Sequence, residues 1–275
     1  MLIARNVSVT GRHSSLLPPT TLTAEEGVVH LAVGRTTEER TALALTLSGR
    51  MRPDGGTVMW GHDDAIAKLR ARVGLVDSPG VNEPERHQRM RDVIAEDLSL
   101  LPKPFWRRPA ARAWAVEHGH GDILDRWPEQ LSASSRLRLL GDLALADDRM
   151  AALVFDGPDR LTLDDDAWVD VLTEYAARGL VVVGVVTVVP VGWDGPFTVI
   201  GDAHDAERMV HDAEDDSAPA PVPVPVISQP GEYPDDATEL VSATGEHLHE
   251  NEHDHGGDEH RTTHEPTADP AKDDR

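Results

Sequence analysis

Between Gly27 and Gly61 the chain reads GVVHLAVGRTTEERTALALTLSGRMRPDGGTVMWG: an apolar strand, a loop, a helix, a Pro-Asp-Gly-Gly turn and a second strand. That layout suits phosphate, because a loop between strand and helix aims backbone N–H groups and the helix N-terminus at an anion. The full motif, G-x-x-x-x-G-K-[ST], adds a lysine for the terminal phosphates and a hydroxyl for magnesium. Here the eight positions are Gly34, Arg35, Thr36, Thr37, Glu38, Glu39, Arg40 and Thr41. Gly34 and Thr41 keep the motif; Glu39 replaces its second glycine and Arg40 its lysine.

Two effects oppose phosphate. Glu39 brings a Cβ to a position where a phosphate-wrapping loop favours positive φ. Glu38 and Glu39 also place carboxylates where phosphates would sit, and like charges about 4 Å apart cost roughly 4 kcal/mol at an effective dielectric near 20. Arg35 and Arg40 offset part of this, since a guanidinium can fork onto phosphate. The same residues also form T-x-x-E, a capping box with Thr36 at the N-cap and Glu39 reaching back to its N–H. On that reading the helix's own carboxylate takes the anion position.

A second group of reactive side chains lies near the C-terminus. His247, His249, His253, His255, His260 and His264 fall within eighteen residues among Asp and Glu. Imidazole with carboxylate suits Zn, Ni or copper, and such binding fades as the rings protonate. The spacing is irregular and no cysteine completes a closed structural site. A solvated acidic tail accounts for the same residues, so both readings stand.

Composition bounds the rest. The formal charge is −23, which argues against nucleic acid as a partner. Of 49 acidic residues 18 lie from His211 onward, with only 3 of the 26 basic ones, so the folded part is mildly acidic. The absence of cysteine excludes disulfides and is compatible with a reducing cytoplasm. No run of eighteen apolar residues is present, and MLIARNVSVTGRH lacks the apolar stretch of a secretory signal.

Residues 1–210 alternate apolar strands with helical stretches, the pattern of an α/β domain. Strands are expected at Leu2 to Val9 (an edge or hairpin strand), Val28 to Val33, Thr57 to Trp60, Arg72 to Val76, Ala152 to Asp156, Leu180 to Val189 and Phe197 to Ile200. Helices are expected at Thr41 to Ser48, closed by Gly49, at Leu131 to Ala146 and at Asp165 to Ala177. Met90 to Trp127 reads as mostly helix, with Trp106, Trp114 and Trp127 packing it together. From 211 to 275 the sequence reads as a disordered acidic tail behind a polyproline linker, APAPVPVPV at Ala218 to Val226.

Four segments in order resemble the ATP-binding subunit of ABC transporters, over about residues 1–205. They are GVVHLAVG through SGRMRPDGGTVMWG, EQLSASSRLRLLGDLALA at Glu129 to Ala146, AALVFDGPDRLTLD at Ala151 to Asp164, and VVVGVVTVVP at Val181 to Pro190. The resemblance implies a P-loop NTPase-like fold with an antiparallel β subdomain and a reduced helical subdomain at about 78–130. It implies degenerate nucleotide-binding positions at Gly34, Arg40, Thr41, Asp77, Ser132 and Asp156.

The residues at the other family positions are substituted. The glutamine after the third strand is Asp77, which also reads as a solvated loop aspartate. The LSGGQ segment reads Leu131, Ser132, Ala133, Ser134, Ser135, and Ser132 also suits an N-cap. Asp156 matches the metal-binding aspartate, but the glutamate after it is Gly157. Val188 stands near the switch histidine, Asp164 is one residue from the D-loop aspartate, and Val9-Thr10-Gly11-Arg12 lacks the adenine-stacking aromatic. Losing these groups together removes water activation and charge neutralisation.

The resemblance therefore implies a protein with weak or no ATP and Mg binding and no catalytic residues. It would act as a structural or regulatory partner of a transmembrane transporter subunit, as a homodimer or a heterodimer with another ATP-binding subunit. Its place would be cytoplasmic, peripheral on the inner face of the cell membrane. The alternative is a soluble regulatory or metal-buffering protein that keeps the fold. An active metallochaperone GTPase is disfavoured, because Glu39 and Arg40 spoil the loop and no N-K-x-D is present.

Overall fold

The computed structural model describes residues 1–201. The linker and the six tail histidines lie outside the described residues. In chain order the elements run β1 (Leu2–Thr10), β2 (Ser15–Ala24), β3 (Val29–Val33), α1 (Thr37–Leu47), β4 (Gly55–Trp60), α2 (Ile66–Arg72) and β5 (Val73–Val76). Then come α3 (Met90–Ser99), α4 (Ala111–Glu117), α5 (Ala133–Ala144), β6 (Ala152–Asp156), α6 (Asp165–Ala177), β7 (Val181–Val186) and β8 (Phe197–Val199).

Five of the strands are short Val/Leu/Ala-rich runs. They form one parallel sheet in the order β5-β6-β7-β3-β8. Strands buried on both faces need no polar alternation, and β3, β5, β6 and β7 are buried along their whole length. Successive side chains still point to opposite faces. Leu31, Val33, Leu153, Phe155, Val182 and Val186 pack with α3 to α6 on one side. Ala32, Ala152, Val154, Val181, Val183 and Val185 pack with α1, β1 and β2 on the other.

The second sheet is antiparallel, in the order β2-β1-β4. β1 makes the expected hairpin with β2 but also pairs with β4, so it is the central strand and not an edge. β2 and β4 are the sheet's edges, and β2 carries Pro18 and Pro19; proline is tolerated at an edge, where a missing N–H breaks no ladder. Helix α1 begins four residues earlier than its apolar run implied, because its first turn is made of the capping residues themselves.

The helical section from Met90 to Gln130 holds two short helices joined by a proline-rich turn. Trp114 is buried and Trp127 lies half-buried beneath the Arg89 guanidinium, 4.8 Å from its ring centroid. Trp106 contradicts the expectation that it packs this section: it is 71% exposed. Pro104 and Pro109 bracket its turn and hold it away from the core.

Helix and sheet meet most tightly at Gly184 on β7. A Cβ there would lie 2.8 Å from a methyl of Leu172 and 2.9 Å from one of Leu31. Gly184→Val is expected to lower stability by roughly 1–3 kcal/mol through overpacking, read as a shift of the urea midpoint at constant m-value.

Candidate functional site

The loop after β3 is closed on itself. Thr36 is the N-cap of α1, with extended backbone, and its Oγ1 accepts from Glu39 N at 3.2 Å. The Glu39 carboxylate turns back and accepts from Arg35 N at 3.1 Å and from Thr36 N at 3.4 Å through one oxygen. Two backbone donors that would face a phosphate are therefore met by a side chain four residues on. Glu39 lies inside α1 and has no positive φ, so the expected backbone strain is absent. The carboxylate alone opposes phosphate.

Arg40 also faces inward to its own loop. Its Nη1 donates to Gly34 O at 2.8 Å and its Nη2 to Thr37 Oγ1 at 3.1 Å. The side chain lies so close over Gly34 that a Cβ there would meet Arg40 Cγ at 2.7 Å. Ile200 Cδ1 would lie 2.8 Å from the same Cβ, so packing alone calls for glycine at position 34.

Asp156, at the end of β6, is buried. Its Oδ2 accepts from Thr41 Oγ1 at 2.8 Å and from Ser78 Oγ at 2.6 Å. Burial raises its pKa above the usual carboxylate range, and these two hydrogen bonds pull the other way. The next residue, Gly157, sits in the left-handed region at φ 67° and offers no side chain to activate water.

Asp77 corrects the expectation of a solvated loop aspartate. It is 1% exposed, with φ 56°, just beyond β5. Arg136 of α5 forks onto it, Nε to Oδ2 at 3.0 Å and Nη2 to Oδ1 at 2.6 Å. Arg160 adds a third contact at 3.2 Å to Oδ2 and also donates to Asp77 O, Asp156 O and Gly157 O. Both arginines and Ser78 escaped the sequence reading. Arg136 is separated from Asp77 by 59 residues, and nothing local in SSRLRLL marks it as a charge partner.

Of the six expected positions, Thr41, Asp77 and Asp156 are joined through this network, while Gly34 and Arg40 are bonded to each other within the loop. Ser132 joins neither: it caps α5, accepting from Ser135 N at 3.2 Å, and its other contacts are serines of the same turn. Asp164 is the N-cap residue of α6 without a side-chain bond. Among the described residues no group of three His, Asp or Glu is placed to hold a metal ion. No helix among them is long and apolar enough to cross a membrane.

Two clefts flank the network. One of about 740 Å³ runs past Glu83, Arg86, Glu129, Arg136 and Arg160. The other, about 410 Å³, lies between β5, α3 and α5 and is lined by Asp97, Asp147, Arg50 and apolar side chains. Burial, helped by neighbouring Glu96, pushes the Asp97 carboxyl up to about 6. On the sheet, burial pushes His30 down to about 4, and its Nε2 lies 3.0 Å from Thr198 Oγ1.

No protein family model and no curated protein matches the chain. Solved structures do. The dimeric structure of MJ0796, a bacterial ABC transporter cassette, superposes with TM-score 0.55 at 19% identity, over 74% of this chain and 96% of that one. Its post-hydrolysis state bound to ADP and Pi matches equally, with TM-score 0.55 at 18% identity over the same shares. The cbiO1 protein of Clostridium perfringens, part of the ABC transporter complex cbiONQ, gives 0.50 at 16% identity, over 68% and 77%. The fold is that of an ABC transporter ATP-binding cassette.

Two predictions follow from this geometry. Asp77→Ala leaves two guanidiniums facing each other without their shared carboxylate. Because both retain some solvent contact, the loss is expected near the low end for a broken buried pair, about 3 kcal/mol, measured by chemical denaturation. The second concerns pH. Between about 4 and 6 the folded chain keeps a proton on Asp97 that the unfolded chain has released, so this group's contribution falls as pH rises. Buried neutral His30 acts oppositely: the unfolded chain binds the extra proton, so its contribution rises over the window from about 4 to 6.5. Relative to the parent, Asp97→Asn should therefore make stability climb more steeply from pH 4 to 6, and His30→Gln less steeply, in parallel melts across that range.

Proposed function

We propose that this chain is a non-hydrolysing ABC-cassette protein that serves as a structural or regulatory partner of a membrane transport component. It would sit peripherally on the inner face of the cell membrane, as a homodimer or paired with another cassette. One observation carries the reading: the Glu39 carboxylate occupies the loop amides of Arg35 and Thr36. Arg40 likewise donates within the loop, to Gly34 O.

The residues present do not fit a magnesium-bound nucleoside triphosphate. Its phosphates would have to displace Glu39 and then lie beside it, and beside exposed Glu38. Thr41 and Asp156 keep the positions of metal-binding groups, but they are hydrogen-bonded to each other. Gly157 supplies no base, and Thr187-Val188-Val189 supplies no histidine. Phosphoryl transfer rests on positioning and charge neutralisation, which these residues would not supply.

Support for the partner class comes from the neighbours, all cassettes or components of ABC transporters by name. A cassette without its own turnover still presents the helical section at about 78–130 to a membrane subunit. In a mixed dimer it would complete the partner's site poorly, because Ser132 is used within its own helix cap.

Titration calorimetry of the full chain with magnesium-ATP is expected to show no binding at micromolar concentrations. The double variant Glu39→Gly/Arg40→Lys, which frees the amides and restores a lysine, should gain at least about tenfold in affinity, or about 1.4 kcal/mol. Micromolar affinity in the parent protein would overturn the reading. Recovery of the parent protein from membranes with a polytopic protein supports the transport role; recovery only from the soluble fraction favours a regulatory role away from transport.

A further inference from the structure

A third cleft, of about 290 Å³, opens at the C-terminal end of α1, with the phosphate loop at the helix's other end. The end of α1, the first part of β4 and the start of α2 enclose it. Its floor is apolar: Val58 and Leu69 are buried, while Met51 and Ile66 are half-buried and keep surface open to it. Three charged side chains line its rim, Arg52, Asp54 and Asp64, all exposed. Asp54 is engaged, its Oδ2 accepting from Thr10 N at 2.7 Å. Among the described residues Arg52 and Asp64 have neither a hydrogen bond nor an ion pair, with each other or with any third group.

The walls are held by the chain itself. Gly49 closes α1 at φ 68°, and a Cβ there would lie 2.9 Å from Leu69 Cβ and 3.1 Å from Ile66 O, so glycine lets α2 approach this end. Pro53 restricts φ in the next turn, and Asp54 N donates to Ser8 O at 2.9 Å. On the α2 side Asp63 does the fastening. Its Oδ1 accepts from Ala65 N at 3.0 Å, its other oxygen pairs with Lys68, and its backbone bonds to Trp60 in both directions. Neighbouring Asp64 is left to line the cleft. A pre-formed cleft spares a ligand the cost of ordering it.

We infer that this cleft binds a small amphipathic zwitterion, an α-amino acid with an apolar side chain. The ligand's carboxylate takes the Arg52 guanidinium, whose paired donors match it. Its ammonium takes Asp64, and its side chain covers the open parts of Met51 and Ile66, removing apolar area from water. A purely cationic ligand would leave Arg52 unmet, and a purely anionic one would leave Asp64 unmet. Two carboxylates beside one arginine also oppose phosphate. The volume lies at the lower bound of ordinary small-molecule sites, about 300 Å³, which suits one amino acid better than a nucleotide.

The test needs neither nucleotide nor membrane, so its failure is distinguishable from failure of the proposed function. Equilibrium dialysis of the full chain against leucine is expected to show saturable binding at about 1 mM or tighter. Arg52→Gln and Asp64→Asn should each weaken it by about tenfold. Isoamylamine, which is leucine without its carboxylate, should bind more weakly than leucine and be indifferent to Arg52→Gln. Isocaproate, which lacks the ammonium, should also bind more weakly and be indifferent to Asp64→Asn. Unchanged thermal melts of these surface variants exclude misfolding, and where a variant melts lower the analogues decide on the parent protein alone. No saturable binding of leucine up to about 10 mM, binding untouched by either variant, or analogues that bind as tightly as leucine would each overturn the inference.

Discussion

A helix that starts directly behind a buried strand presents backbone N–H groups with no intrahelical partner, and something negative or polar must meet them. In this protein that something is Glu39, three residues into the same helix. An acceptor carried in the same turn needs no association step, so any phosphate must compete with a partner that is always present. The rest of the loop follows. Arg40 lies back on Gly34 O, and only a residue without a Cβ leaves room for it. Thr41, one residue further, is then free to serve Asp156.

A second constraint works at the other side of the parallel sheet. Asp77 is buried in a strained left-handed conformation, and a buried carboxylate needs close, well-formed partners. Arg136 brings α5 to it, and Arg160 brings the turn after β6. These contacts fasten α5 and that turn to the C-terminal end of β5. Glu83, 3.8 Å from Arg160, balances the remaining charge. Carboxylates and guanidiniums of the chain itself organise these elements.

What could be read from the sequence was local. The capping box needs four adjacent residues, and Ser132 sits three before a free helical N–H; both caps form as their spacing implies. Ala152–Asp156 and Asp165–Ala177 match their expected bounds because an apolar run and a run of acidic first-turn residues mark their ends. β2 went unread because Pro18-Pro19 hides an edge strand, and α2 because seven residues give little periodicity. The burial of Asp77 was invisible because its partners lie 59 and 83 residues away. Trp106 misled for a related reason: an aromatic reads as core unless the prolines around it are weighed as a device for exposing it.

The pair Thr41–Asp156 shows how far a matched position can be trusted. The sequence resemblance assigns both residues to metal-binding positions, and that assignment alone would suggest a metal site. The geometry gives a sufficient reason for them without metal. Asp156 is 2% exposed at the end of a fully buried strand, so its carboxylate would carry a large desolvation cost if unmet. Thr41 and Ser78 meet it, and burial still leaves its pKa raised. Removing the threonine hydroxyl would leave a buried oxygen under-satisfied whether or not a cation ever binds. Asp156 is thus held in the core of the fold by Thr41 and Ser78, whatever else the two hydroxyls serve.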